Sequence, residues 1–235
     1  MKDNVAEIYK DGTYAASNPD CGEDNTGWKA GQVFRMMERA GVQPKSVCEI
    51  GCGSGGVIED LQRRMPGDVQ FTGVEPMPEA YRRCSAKTRE RLTFLNQTAD
   101  QLPETYDLVL LLDVFEHVED FMGFLRSLRH LGRQFIFHIP LDMTAQMVLR
   151  DKPIMRVRKV VGHLHYFSKN TALAALRDTG YEVQDWFYSD TRGCSYVNFR
   201  TRLLKLPRRL LMKIAPDFAV RLLGGNPLTV LARPV

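Results

Sequence analysis

The sequence is short of everything that marks a secreted, disulfide-bonded or membrane-spanning protein. Its five cysteines (Cys21, Cys48, Cys52, Cys84, Cys194) are odd in number, scattered and without a C-x-x-C pair. That argues against a disulfide framework and a cysteine zinc site. No apolar run approaches the ~20 residues of a membrane helix; the longest, Leu108 to Leu112 resuming at Val114-Phe115, is broken by Asp113. Met1-Lys2-Asp3-Asn4 leads into polar residues with no apolar h-region, so the cytoplasm is the expected compartment. There is no internal repeat or low-complexity tract. What remains is 235 residues, 44% hydrophobic and 26% charged, the composition of a single globular domain with room for an appendage.

The net charge of +4 is unevenly spread. Residues 200–221 hold seven basic residues (Arg200, Arg202, Lys205, Arg208, Arg209, Lys213, Arg221) against Asp217 alone. A second basic stretch lies at 150–159 (Arg150, Lys152, Arg156, Arg158, Lys159). Such segments bear on partners and not on fold. With little aromatic interleaving for base stacking, they argue against a nucleic-acid module.

Strands and helices alternate along the chain. Val33, Met36, Met37 and Ala40 set a helix over 28–40 that stops at Gly41, ahead of the first strand, 46–50. A glycine turn follows, Gly51-Cys52-Gly53-Ser54-Gly55-Gly56, and then a helical repeat of Val57, Ile58 and Leu61. Strands at 69–74, 92–95, 108–112 and 135–139 are separated by helices at 79–88 and 119–131. A helix at 169–179 and strands at 181–188 and 228–231 complete about seven strands. Continuously apolar strands between helices predict a parallel sheet covered on both faces. The 189–226 connection is too long for a plain loop. Leu203, Leu206, Leu210, Ile214 and Phe218 mark it as a basic amphipathic insertion, interrupted at Pro207 and Pro216.

A glycine turn between strand and helix lets backbone approach a ligand and points free N–H groups at it. Gly51-x-Gly53-x-x-Gly56 also satisfies the dinucleotide fingerprint, with Glu75 near the distance of a ribose-binding acid, so a nicotinamide-dependent oxidoreductase is a rival reading. Two features oppose it. Glu49 puts an acid two residues before the first glycine, suited to a cofactor with a cationic amino group and no pyrophosphate, and a helix precedes the first strand.

Val47-Cys48-Glu49-Ile50-Gly51-Cys52-Gly53-Ser54-Gly55 resembles the first motif of class I S-adenosylmethionine (SAM) methyltransferases. Phe71-Thr72-Gly73-Val74-Glu75 is similar to their second-strand motif. Tyr106-Asp107-Leu108-Val109 with Asp113-Val114-Phe115-Glu116-His117-Val118 resembles the fourth strand and its turn. His165-Tyr166-Phe167-Ser168 leading to Gly180-Tyr181-Glu182-Val183 resembles the late helix and sixth strand. The resemblance covers about residues 25–190. It implies a Rossmann-like, doubly wound α/β sheet of seven strands, order 3-2-1-4-5-7-6, with the last strand antiparallel.

It also implies site residues. Gly51 and Gly53 would hold the methionine and sugar of SAM, Glu49 would face the sulfonium side, Glu75 would accept from the ribose, and Asp113 or its backbone would meet the methionine amino group. The adenine stretch departs from the family pattern: Thr98 replaces the usual acid in Gln97-Thr98-Ala99-Asp100-Gln101-Leu102-Pro103, leaving Asp100 or backbone near Ala99 to read the base. The segment before residue 28 resembles a lid over SAM, with Tyr14 a candidate contact.

Methyl transfer from a sulfonium is an in-line displacement needing alignment, and a base when the acceptor is a hydroxyl. His117, His138, His163 and His165 could each serve, with His117, His138 and His165 the catalytic candidates, beside or after the strands at whose ends open α/β sheets bind ligands. Asp113-x-x-Glu116-His117 is similar to the element by which ubiquinone-type and small-RNA 2′-O-methyltransferases bind a divalent ion, with His163 or His165 completing the set. The same Glu-His-Val occurs in relatives without metal, and Asp113 reaches less far than the usual Glu.

The expected activity is transfer of the SAM methyl to a small molecule, a hydroxyl of a sugar or natural product, leaving S-adenosylhomocysteine (SAH). The basic stretches leave open an anionic acceptor, a peripheral membrane contact through 199–223, or a solvated face. RNA or lipid-linked substrates and a non-catalytic SAM-binding protein are alternatives. DNA is not expected, since the Asn-Pro-Pro-Tyr and Pro-Cys signatures of DNA enzymes are absent.

Overall fold

The computed structural model describes residues 25–103, 105–189 and 205–235. The elements in chain order are α1 (Thr26–Ala40), β1 (Ser46–Ile50), α2 (Gly56–Arg64), β2 (Gln70–Val74), α3 (Pro78–Ser85), β3 (Leu92–Leu95) and β4 (Tyr106–Leu112). They continue with α4 (Phe121–Leu128), β5 (Gly132–Ile139), α5 (Ala145–Arg150), α6 (Lys152–Val160), α7 (Lys169–Asp178) and β6 (Tyr181–Tyr188), and end with α8 (Lys205–Ile214), α9 (Pro216–Leu223) and β7 (Leu228–Pro234). The seven strands form one sheet in the order β3-β2-β1-β4-β5-β7-β6. β1 to β5 are parallel, and β7 runs antiparallel to both β5 and β6. This is the sheet expected from the sequence.

The continuous apolar run of β4 is explained by two covered faces. Leu108, Leu110 and Leu112 pack with Val33 and Met36 of α1 and Ile58 and Leu61 of α2, while Val109 and Leu111 pack with Leu125 of α4 and Leu176 of α7. Leu108 to Leu111 are wholly buried. At ~1.5–3 kcal/mol for each buried side chain of this size, β4 is a main anchor of the fold. Tyr181 at the start of β6 reaches across that second layer, and its hydroxyl donates to Leu125 O at 2.8 Å.

Several boundaries differ from expectation, for local reasons. The helix expected over 119–131 ends at Leu128 and continues as a 3₁₀ turn, Arg129–Leu131. β5 begins at Gly132 and β7 runs on to Pro234, because strand pairing extends beyond the apolar core of each segment. Pro207 does not interrupt α8. It is the third residue of that helix, within the first turn, where a missing N–H costs nothing. Helices α5 and α6 were not anticipated; both are short and neither fully buries a residue. Most of the expected lid, residues 1–24, and residues 190–204 of the insertion lie outside the described residues. Among the described residues, no helix is long and apolar enough to cross a membrane.

The fold brings the carboxyl ends of β1, β2, β4 and β5 side by side. The segments holding α5–α6 and α8–α9 leave or enter the sheet at that same end, since Leu228 at the start of β7 pairs with Ile139 at the end of β5.

Candidate active site

β1 hands over to α2 through Gly51, Gly53 and Gly55, whose φ angles of 69°, 56° and 76° fall in the left-handed region. At Gly55 space is also lacking: a Cβ would sit 2.6 Å from the Phe94 ring and 2.8 Å from Cys84 Cβ. The turn is held against β2 by Gly51 N–H and Cys52 N–H, which donate to Val74 O at 2.8 and 3.1 Å.

Two acids flank the turn. Glu49 on β1 is 3% exposed, and its Oε2 accepts from Ile58 N–H at 3.1 Å, inside the first turn of α2. The helix N-terminus that would receive a pyrophosphate in a dinucleotide fold is thus taken up by a carboxylate of the chain itself. Burial pushes the Glu49 carboxyl up to about 8, against the opposing pull of Lys29. Glu75, just past β2, is also buried; Oε2 accepts from Gly53 N–H at 2.9 Å and Oε1 from Met77 N–H at 2.8 Å. Burial raises its carboxyl too, and the two N–H donors oppose that rise.

At the end of β4 the chain turns through Asp113, a non-glycine residue at φ 59°. Its Oδ1 accepts from His138 Nδ1 of β5 at 2.6 Å, and its Oδ2 lies 2.8 Å from Lys29 Nζ of α1. Burial alone would raise the Asp113 carboxyl; His138 and Lys29 outweigh it and hold the group well below the ordinary carboxylate range. The Lys29 ammonium is raised in return, Asp113 overcoming its burial, and Glu49 and Glu116 act on it in the same direction. Trp28 lays its ring at 86° to the His138 imidazole, centroids 5.3 Å apart.

The 3₁₀ turn Phe115–His117 carries a second group. Glu116 is 0% exposed, and neither carboxylate oxygen has a hydrogen-bond partner among the described residues. Burial, with the charge of Asp113, pushes its carboxyl well up. His117 Nδ1 faces Gly162 O at 3.2 Å, and its Nε2 is 3.9 Å from Glu116 Oε1. Burial drives the His117 imidazolium down to about 4, so this ring is neutral. His163 Nδ1 meets Asp142 Oδ2 at 2.6 Å, and the two imidazole centroids lie 4.8 Å apart. One ligand atom each from Glu116, His117 and His163 fall within 4.8 Å of one another. An orphaned carboxylate beside two imidazoles whose Nδ1 atoms face oxygens is a donor set for a divalent cation.

The structure therefore sorts the expected residues. Glu49, Gly51, Gly53 and Glu75 surround one turn. Asp113 pairs with His138 and Lys29, and the Glu116 group forms without it. His165 stands apart, its Nε2 3.0 and 3.1 Å from the carbonyls of Val118 and Glu119 and its ring against Phe121. Ala99 is buried and Asp100 exposed on the 3₁₀ turn beyond β3. Tyr14 lies outside the described residues. Sequence reasoning missed Lys29 and Asp142. Lys29 had a signal: it precedes Val33 by four residues, which places a cation on the buried stripe of α1.

A family model described as "Methyltransferase domain" matches residues 30–185. The chain is 29% identical over 175 residues to the mitochondrial ubiquinone biosynthesis O-methyltransferase of Schizosaccharomyces pombe, covering 70% of this chain and 62% of that one. It is 34% identical over 99 residues to the ubiquinone biosynthesis O-methyltransferase of Aliivibrio fischeri, covering 39% and 42%. The chain thus spans less than two thirds of the length of these relatives. Among solved structures it resembles the magnesium protoporphyrin IX methyltransferase of Synechocystis with bound SAH (TM-score 0.60, 18% identity, 88% of this chain and 82% of that one). It also resembles the Haloferax volcanii complex of the Trm112 methyltransferase activator and a methyltransferase (0.64, 16%, 100% and 99%). At these identities the structures speak for the fold.

Proposed function

The chain belongs to the methyltransferase-domain family and is a class I SAM-dependent methyltransferase; from that premise we propose that it methylates a hydroxyl oxygen of a small molecule. The pair of buried acids at the ends of adjacent strands around the glycine turn, with Glu49 occupying the α2 N-terminus, supports the cofactor, and the O-methyltransferase relatives support the hydroxyl acceptor. That arrangement leaves a pyrophosphate no free helix N-terminus and suits a ligand with an ammonium and a ribose.

In this reading Gly51 and Gly53 present backbone to the methionine and sugar, and Glu49 faces the cationic end. Glu75 accepts from the ribose hydroxyls, each oxygen having a lone pair left beyond its N–H contact. Lys29 meets the methionine carboxylate, Asp113 offers its backbone beside it, and Ala99 and Asp100 border the adenine. SAM supplies an electrophilic methyl group, and the residues around it hold that methyl in line with the acceptor oxygen and exclude water. Glu116, His117 and His163 would hold a divalent ion, which would supply Lewis-acid polarisation of the acceptor hydroxyl.

The acceptor we propose is a sugar or natural-product hydroxyl carrying negative charge, supported by exposed Arg150, Lys152 and Arg156 on α5–α6 at the strand ends. A phenolic hydroxyl is the second reading, favoured by the relatives' printed role in ubiquinone biosynthesis. Helices α8 and α9 offer a peripheral contact with an anionic membrane: Leu210, Ile214 and Phe218 are exposed beside Lys213 and Arg221. SAH production with SAM and a panel of nucleotide-sugars, sugar phosphates and catechols tests the reading. Turnover of any hydroxyl acceptor supports it, and turnover only of amines or thiols overturns it.

A further inference from the structure

Hydroxyl methylation requires the acceptor proton to leave, and one buried histidine is arranged to take it. His138 lies one residue before the end of β5, paired with Leu112 of β4 and Thr229 of β7. It is 3% exposed, and its Nε2 has no hydrogen-bond partner among the described residues. Leaving a buried polar nitrogen unmatched carries its full desolvation penalty, which a purely structural histidine would avoid by finding a partner.

The opposite ring nitrogen is tightly held. Nδ1 meets Asp113 Oδ1 at 2.6 Å, an acceptor that calls for a proton on Nδ1, so that in the neutral ring the lone pair is on Nε2. Asp113 adopts left-handed backbone at φ 59° to make this contact, a conformation disfavoured for non-glycine residues and concentrated at functional positions. Lys29 binds the other carboxylate oxygen at 2.8 Å, and Trp28 packs edge-on to the imidazole, so the ring is restrained from two elements. The charged groups facing this dyad are Asp113 from β4 and Lys29 from α1, with Glu49 and Glu116 acting through Lys29.

We propose that His138 is the general base of the methyl transfer and that Asp113 is its positioning residue. This rests on the hydroxyl-acceptor reading above. The acceptor O–H proton passes to Nε2 of His138 as the oxygen forms its bond to the methyl carbon. The carbon–sulfur bond breaks with its electron pair returning to sulfur, giving SAH and an imidazolium stabilised by Asp113. The shorter acid in the Asp113-x-x-Glu116-His117 element is thereby given a distinct job: it serves the imidazole, and the Glu116 group is complete without it.

The test has two arms on the full chain. In ¹⁵N-histidine-labelled protein, the neutral tautomer of His138 is expected to carry its proton on Nδ1, and Asp113→Asn should shift the proton toward Nε2. A proton on Nε2 in the unsubstituted protein overturns the dyad whatever the acceptor. In the kinetic arm, 3,4-dihydroxybenzoate and the more acidic 4-nitrocatechol are compared as methyl acceptors. His138→Gln should lower kcat for the first about 100-fold or more with KM within about threefold, and far less for the second, whose hydroxyl ionises unaided. Equal losses on both, or no loss on either, overturn the base assignment while leaving the methyltransferase intact. Failure of the unsubstituted protein on every hydroxyl acceptor overturns the hydroxyl reading instead, and the base assignment falls with it even if the tautomer is as expected.

Discussion

Glu49 gives the sharpest prediction, because its carboxyl is held protonated near neutral pH by burial, to about 8, with Lys29 only partly offsetting it. If the ionised carboxylate is the form that receives the cationic amino group of SAH, affinity must rise as pH passes through that value. At pH 6.5 about 3% of the group is ionised and at pH 8.5 about 76%, so the observed Kd should fall roughly 20-fold between them. Binding at pH 7 should release close to one proton, read by calorimetry in buffers of different ionisation enthalpy. Glu49→Gln keeps an oxygen acceptor for Ile58 N–H at 3.1 Å and has no proton to lose. Its affinity should follow only the ligand's own titration, and its proton release should disappear. Stability follows the same group with the opposite consequence. A folded-state value above the unfolded one makes the contribution of Glu49 fully present below about pH 4, and it is lost as pH rises toward 8. Glu49→Gln should therefore gain in Tm relative to the unsubstituted protein over that range. A Kd flat in pH, with no proton released, would refute the reasoning.

Gly55→Ala combines a left-handed φ of 76° with a Cβ 2.6 Å from Phe94. It should cost about 2–5 kcal/mol, from roughly 1–2 for the backbone and 1–3 for overpacking; thermal unfolding measures it, and a loss below about 1 kcal/mol would refute the clash. Asp142→Ala, which removes the acceptor on His163 Nδ1 at 2.6 Å, should weaken Mn²⁺ binding about 10–100-fold by calorimetry. Unchanged affinity would place the ion elsewhere. Vesicles rich in phosphatidylglycerol should co-sediment the protein at low salt and lose it when exposed Ile214 and Phe218 become Asp; equal recovery of both proteins would exclude this surface.

The sheet was legible because its strands are buried on both faces and read as apolar runs, as Leu108 to Leu111 show. The glycine turn was legible because its glycines stand where left-handed backbone is needed and Glu49 and Glu75 end neighbouring strands. Two things were hidden. Helices α5 and α6 were hidden because they are short and the basic residues Lys152, Arg156, Arg158 and Lys159 of α6 outweigh the Ile154 and Val157 spacing beside them. The partners of Asp113 were hidden because they come from elements far away in sequence: Lys29 from α1 and His138 from β5. A motif of local spacing groups Asp113 with Glu116 and His117, but the left-handed backbone at Asp113 turns it toward β5. Likewise His165 looked equivalent to His163 in sequence, yet only His163 meets His117.

The central claim is that the turn between Glu49 and Glu75 seats SAM, and calorimetric titration of the chelator-treated protein with SAH, beside NADH as control, tests it most directly. The account predicts micromolar SAH binding, none of NADH, and SAH affinity at least about tenfold weaker in a folded Glu75→Ala protein, roughly the loss of one charge-assisted hydrogen bond. Tight NADH binding, or SAH affinity unchanged by Glu75→Ala, would contradict it.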